Sequence, residues 1–110
     1  MKQFLITYRL KDGMEARRRA EIDAFVAAID DDPALRGKLA YRCMKLAGEP
    51  RYYHVATAAD DAAVATLQSR DFFTRYTAQT EACADGDVDV SPLELIAETA
   101  AGVEEVVPAG

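Results

Sequence analysis

His54 is the only histidine in the chain. With an ordinary pKa of about 6.5, imidazole is the one side chain here suited to moving a proton near neutral pH. It lies in Arg51-Tyr52-Tyr53-His54-Val55-Ala56, a run whose strand alternation puts Tyr52 and Ala56 on the same face as His54. A general base with a phenol beside it to hold a substrate oxygen is the functional reading of that spacing. No carboxylate partner for His54 is evident, so a strand histidine without a chemical task is the competing reading.

Arg9 and Arg42 also fall within strand patterns, where a charge either points to solvent or lines an enclosed polar site. Their forked guanidinium groups could bind a carboxylate or carbonyl oxygen, or form ion pairs across an interface between two copies of the chain. Tyr41, Phe72, Phe73 and Tyr76 could wall an aromatic pocket, and core packing explains them equally well. Arg17-Arg18-Arg19 falls on a helical pattern and reads as a solvated face.

Other chemistry is poorly provided for. Cys43 and Cys83 have neither metal-site nor redox-pair spacing and read as reduced, partly buried thiols. One histidine and two separated cysteines are too few for a zinc site, so no metal is expected. The chain has no phosphate-cradling glycine loop, dinucleotide fingerprint or nucleophile elbow, and Asp30-Asp31-Asp32 lacks the glycine and glutamate of a calcium loop. A net charge of -6 would repel a polyphosphate, which excludes nucleic acid as an expected partner. There is no secretory h-region at the N-terminus and no apolar run of bilayer length, so no membrane partner is expected and a cytoplasmic location is.

The elements that position these residues follow from periodicity. With 110 residues, half of them apolar, the chain forms one domain. Phe4, Ile6, Tyr8 and Leu10 alternate with Leu5, Thr7 and Arg9 in a first strand, and Asp12-Gly13 turns the chain. Ile22, Phe25, Val26 and Ile29 mark an amphipathic helix from Met14 to Asp30, which Asp32-Pro33 stops. Leu39 begins a second strand, Ala47-Gly48-Glu49-Pro50 breaks it, and Arg51 to Thr57 forms a third, giving a hairpin. Asp60 or Asp61 caps a second helix buried through Val64, Leu67, Phe72, Phe73 and Tyr76, with a bend or break near Ser69-Arg70-Asp71. Val88, Val90, Leu93, Leu95 and Ile96 supply a last strand kinked by Pro92.

This βαββαβ order with right-handed crossovers predicts an α+β, ferredoxin-like antiparallel sheet with both helices on one face. Apolar residues on both faces of the first two strands require the second face to be buried too, and a homodimer is the simplest way to bury it. The domain is expected to span 1–99. The tail, 100–110, would be a loosely held arm or would cross to the partner subunit.

From about residue 3 to 98 the chain resembles the antibiotic biosynthesis monooxygenase-like dimeric α+β barrels. The resemblance rests on the first strand, Gly37-Lys38-Leu39-Ala40-Tyr41, Pro50 before an aromatic strand, Asp60-Asp61-Ala62-Ala63-Val64, and Ser69 to Phe73. It implies a cavity for a small aromatic or quinone-like molecule and, as one activity, oxygenation of a small aromatic or quinol-like substrate without metal or flavin. The chain departs from the family where a common strand-three glutamate becomes Ala56 or Thr57 and a common second-helix histidine becomes Leu67 or a neighbour. Without that histidine haem is disfavoured, and no cofactor is expected. On this resemblance His54 would remove a substrate proton and leave a carbanion to meet oxygen, with Tyr52 holding a phenolic or enolic oxygen. The alternative is a non-catalytic small-molecule-binding or regulatory homodimer on the same fold.

Overall fold

Eight extended residues, Lys2–Arg9, form β1, the axis of the fold in a computed structural model that describes residues 1–103. The strand pairs antiparallel with β3 (Arg51–Ala58) on one side and β4 (Asp89–Leu93) on the other. A further strand, β2 (Leu39–Lys45), pairs with β3, so the sheet order is β2-β3-β1-β4. With α1 (Glu15–Asp30) following β1 and the remaining helical segment following β3, this is the expected antiparallel ferredoxin-like α+β fold.

The helix between β1 and β2 forms where its apolar residues recur at helical spacing, and Ile22, Phe25 and Ile29 are buried against the sheet. It ends before Pro33, and Gly37, with φ +77°, turns the chain into β2. Glycine suits that left-handed geometry because it has no Cβ to clash. At the hairpin, Leu46 N–H donates to Arg51 C=O across the turn.

The expected second helix is two helices, α2 (Asp61–Gln68) and α3 (Asp71–Cys83). Asp60 caps the first, its carboxylate accepting from Ala63 N–H at 2.9 Å. At the junction the Ser69 hydroxyl donates to Thr66 C=O at 2.6 Å, and Arg70 takes an extended backbone. The Arg70 guanidinium reaches Asp32 at 2.8 Å and ties the break to the loop after α1. That ion pair holds the Asp32 carboxyl below its ordinary pKa.

The last strand is shorter than the apolar pattern implies. Pro92 sits inside β4 opposite Phe4, on an edge strand that can tolerate a missing N–H, while Leu95 and Ile96 lie beyond the strand and are exposed. The tail reading falls mostly on residues 104–110, outside the described residues.

All the helices pack on the face carrying Phe4, Ile6, Tyr8, Leu39, Tyr41, Tyr52, His54 and Ala58. On the other face, Leu5, Thr7, Tyr53 and Val55 are half-buried, Met44 and Leu93 are exposed, and the buried Thr7 hydroxyl has no hydrogen-bond partner. Among the described residues no helix is long and apolar enough to cross a membrane.

Candidate functional site

His54 stands in the middle of the sheet, opposite Ile6 on β1 and Cys43 on β2. In this register Tyr8 and Tyr41 lie on its diagonals, within reach of an aromatic side chain. The Tyr8 hydroxyl is 3.0 Å from His54 Nε2. The Tyr41 hydroxyl meets His54 Nδ1 in a short hydrogen bond, and Tyr76 brings its hydroxyl from α3 to within 3.2 Å of the same nitrogen. The Tyr41 and Tyr76 hydroxyls are themselves 3.3 Å apart. His54 is fully buried, and no carboxylate touches it among the described residues.

Behind Tyr8 lies Arg18, also fully buried. Its Nε donates to the Tyr8 oxygen at 2.8 Å, Nη2 to Thr80 Oγ1 at 2.7 Å and Nη1 to Glu21 Oε1 at 3.3 Å. The guanidinium carbon stands 4.6 Å from the centre of the Tyr76 ring and 5.2 Å from that of Tyr8, a cation–π arrangement with both rings. The solvated-face reading is thus corrected for Arg18: Arg17 and Arg19 face outward, but Arg18 points into the core. The signal was in the helix phase, because Arg18 precedes Ile22 by four residues and Phe25 by seven and so lies on the buried stripe.

Burial first, and then the Arg18 charge, lower the His54 pKa to about 4. The expectation of an imidazole poised to titrate near neutrality is corrected accordingly, and His54 is neutral at pH 7. Burial raises the pKa of Tyr8, Tyr41 and Tyr76, so all three keep their protons. It pushes the Cys43 thiol up to about 11, which makes that group a poor nucleophile at neutral pH.

The lowered His54 pKa has a consequence for stability. As pH falls below about 6.5 the unfolded chain takes up a proton that the folded protein refuses until about pH 4, so stability is full above this window and declines through it. The total loss is about 3 kcal/mol. Urea denaturation at pH 7 and at pH 4.5 should show most of this loss in the wild type beyond that of His54→Gln, in which the carboxylates titrate alike. Equal losses in the two proteins would contradict the assignment.

The space in front of the tyrosine pair is a cavity of about 320 Å³, at the lower end of the size range of ligand pockets. Phe4, Ile6 and Ala56 form its floor, and Phe25, Tyr41, Phe73 and Tyr76 are among its walls. Phe25 stacks on Tyr76 with centroids 3.9 Å apart and meets Tyr41 edge-on at 5.0 Å, which holds both phenols in place. Thr77, Thr80 and Glu81 supply polar atoms along α3. His54 itself is not among the lining residues.

The residues singled out from sequence divide by position. Tyr41, Phe73 and Tyr76 meet at the cavity, whereas Phe72 packs against Phe25 in the core. Tyr52 is stacked on Tyr8 at 5.4 Å and faces a second hollow beside Arg19 and Cys43, while the hydroxyls that reach His54 are those of Tyr8, Tyr41 and Tyr76. Arg9 and Arg42 are exposed on the opposite face of the sheet and are not brought to the cavity, and Arg9 pairs with Asp85 at 3.7 Å. Tyr8, Arg18 and Thr80 are the network members that the reading for chemistry missed.

No protein-family model and no curated protein matches the chain. Solved structures do. One of an antibiotic biosynthesis monooxygenase aligns over 88% of this chain and all of its own, with a TM-score of 0.72 and 16% identity. Rv0793 from Mycobacterium tuberculosis aligns over 90% of this chain and 98% of its own, with a TM-score of 0.74 and 14% identity. PA3566 from Pseudomonas aeruginosa aligns over 87% of this chain and 94% of its own, with a TM-score of 0.70 and 20% identity. At these identities the likeness is one of fold, and the fold is the one that structures named as antibiotic biosynthesis monooxygenases share.

Proposed function

We propose that the protein binds a small, flat aromatic or quinol-like molecule in the cavity before Tyr41 and Tyr76 and oxygenates it without a bound cofactor. The observation that carries this reading is an apolar, aromatic-walled space lined by Tyr41 and Tyr76, two phenols ordered by their hydrogen bonds to His54. Its fold likeness to structures named as antibiotic biosynthesis monooxygenases supports the same reaction class.

For an anthrone-like substrate the balance is a CH2 group plus O2 giving C=O plus water. The acidic C–H loses its proton, the resulting enolate passes an electron to oxygen, and the radical pair closes to a peroxide anion that takes a proton from solvent and, as the hydroperoxide, loses water to leave C=O. A phenolic O–H beside the substrate oxygen would stabilise the enolate as it forms. The proton leaves to hydroxide from solvent rather than to His54. An imidazole whose pKa is lowered to about 4 is too weak a base to take that proton effectively. His54 then acts through the hydroxyls it orients.

Oxygen uptake with anthrone or a quinol, measured against a protein-free control, tests the reading. Stoichiometric ketone or quinone formation is the expected result, and tight binding without oxygen uptake would favour the second reading, a non-catalytic binding dimer. What favours that alternative is the deeply lowered His54 pKa, which makes the imidazole a poor base at neutral pH.

The second sheet face supports a homodimer as part of this proposal. Leu5, Val55, Met44 and Leu93 present apolar surface that no described helix covers. Sedimentation at micromolar concentration should give twice the 12.0 kDa chain mass. A clean monomer would remove the dimer from the proposal.

A further inference from the structure

The hydrogen-bond inventory around His54 has a direction. The Arg18 guanidinium can only donate, so the Tyr8 oxygen accepts from Arg18 Nε. Tyr8 is fully buried, and its own hydroxyl hydrogen has one good acceptor in range, His54 Nε2. If Nε2 instead carried a proton, it and Arg18 would both donate to Tyr8, and the Tyr8 hydrogen would be stranded in the core at the full cost of a buried unpaired donor. The satisfied arrangement puts the imidazole proton on Nδ1, where it donates to the Tyr41 and Tyr76 oxygens. One of those two hydroxyls donates to the other, and the second hydroxyl hydrogen is left over. The Cys43 thiol, which also faces Tyr76, is only a weak acceptor.

We propose that Arg18 and Tyr8 lock His54 as the Nδ1–H tautomer, and that this turns the Tyr41–Tyr76 pair into a single outward hydrogen-bond donor selecting ligands with an acceptor oxygen: an aromatic ketone, a quinone or a phenolate. Tyr8 and Arg18 are positioning residues, since neither lines the cavity. The opposite tautomer would reverse the selection. With Nδ1 as acceptor, both hydroxyl hydrogens would be used inside the network, and the cavity would offer only lone pairs.

The ligand half of this inference rests on the cavity being the binding site of the proposed function, whereas the tautomer half needs no ligand. Two-bond nitrogen–proton NMR correlations on the ligand-free protein at pH 7 should show His54 protonated on Nδ1 and bare on Nε2. An Nε2–H signal in the wild type would overturn the proposal. Tyr8→Phe keeps the stacked ring and removes the donor to Nε2, so a population of Nε2–H should emerge. A variant that remains wholly Nδ1–H would take the locking role from Tyr8.

Fluorenone and fluorene, which differ by C=O against CH2, probe the selection. The wild type should prefer the ketone about tenfold, the scale of one well-placed hydrogen bond. In Tyr41→Phe or Tyr76→Phe the remaining hydroxyl still accepts from Nδ1 and has its hydrogen free, so the preference for the ketone persists. Only the double variant should lose it. Equal affinities in the wild type, or loss of preference in one single variant alone, would overturn the shared-donor arrangement. Absence of oxygen uptake alongside the expected tautomer and preference would refute the oxygenase reading and leave this one standing.

Discussion

Arg18→Met is expected to lower folding stability by about 3–5 kcal/mol, the scale for removing one partner from a buried charged network. Methionine keeps much of the apolar stem but withdraws the donors that meet Tyr8, Thr80 and Glu21. Among the described residues Glu21 is then a nearly buried carboxylate held only by Arg17 at 3.4 Å, an arginine largely in solvent. The cation–π contacts to Tyr8 and Tyr76 disappear as well. Urea denaturation at pH 7 measures the loss, and a change below about 1 kcal/mol, the range of ordinary surface substitutions, would mean that the guanidinium does not anchor the core. A second readout separates charge from packing. Burial is the larger cause of the low His54 pKa and Arg18 the smaller, so NMR titration of the variant should find that pKa raised, yet still below the ordinary histidine value. Arg18→Lys keeps the charge but not the fork, and should leave the His54 pKa closer to wild type while still destabilising the fold.

What was legible in the sequence follows the periodicities. Alternation in Phe4 to Leu10 and the helical stripe through Ile22, Phe25 and Ile29 are local patterns, and from them the order of elements and the sheet topology could be read. The break between α2 and α3 was visible as a phase change, but its depth depends on Ser69 bonding back to Thr66 and on Arg70 reaching Asp32, thirty-eight residues away in sequence. The site was legible in its members more than in its wiring. Tyr41, Phe73 and Tyr76 could be picked out as wall material because large aromatics on buried faces must meet somewhere. The partners of His54 could not be picked out, because they come from β1, β2 and α3, and only the register of the sheet brings Tyr8 and Tyr41 to opposite sides of one imidazole. Arg18 was hidden by its neighbours. Three consecutive arginines look solvated by composition, whereas a helix turns 100° per residue and one of the three had to fall on the Ile22–Phe25 stripe.

Tyr41→Phe/Tyr76→Phe should lower turnover in oxygen uptake by about a hundredfold to a thousandfold, the cost of removing a donor aimed at charge that develops in the transition state. Both rings remain, so the Phe25 stack and the cavity walls survive, and circular dichroism and urea denaturation should report a folded protein. The loss should fall mainly on kcat, because a neutral substrate oxygen gains less from the phenol than the enolate oxygen does. His54→Gln should fall between this double variant and the wild type, since glutamine can occupy the space but cannot hold both Tyr8 and the tyrosine pair as the imidazole does. The pH profile gives an independent reading of the same point. With His54 as a general base, kcat/KM would bend at the pKa of that group. With the hydroxyl pair acting as donor and solvent hydroxide taking the proton, the rate should rise with pH through neutrality without such a bend, until the substrate itself ionises. A double variant that consumed oxygen at the wild-type rate would remove Tyr41 and Tyr76 from the chemistry. A bend near the His54 pKa that vanished in His54→Gln would return the base to the imidazole.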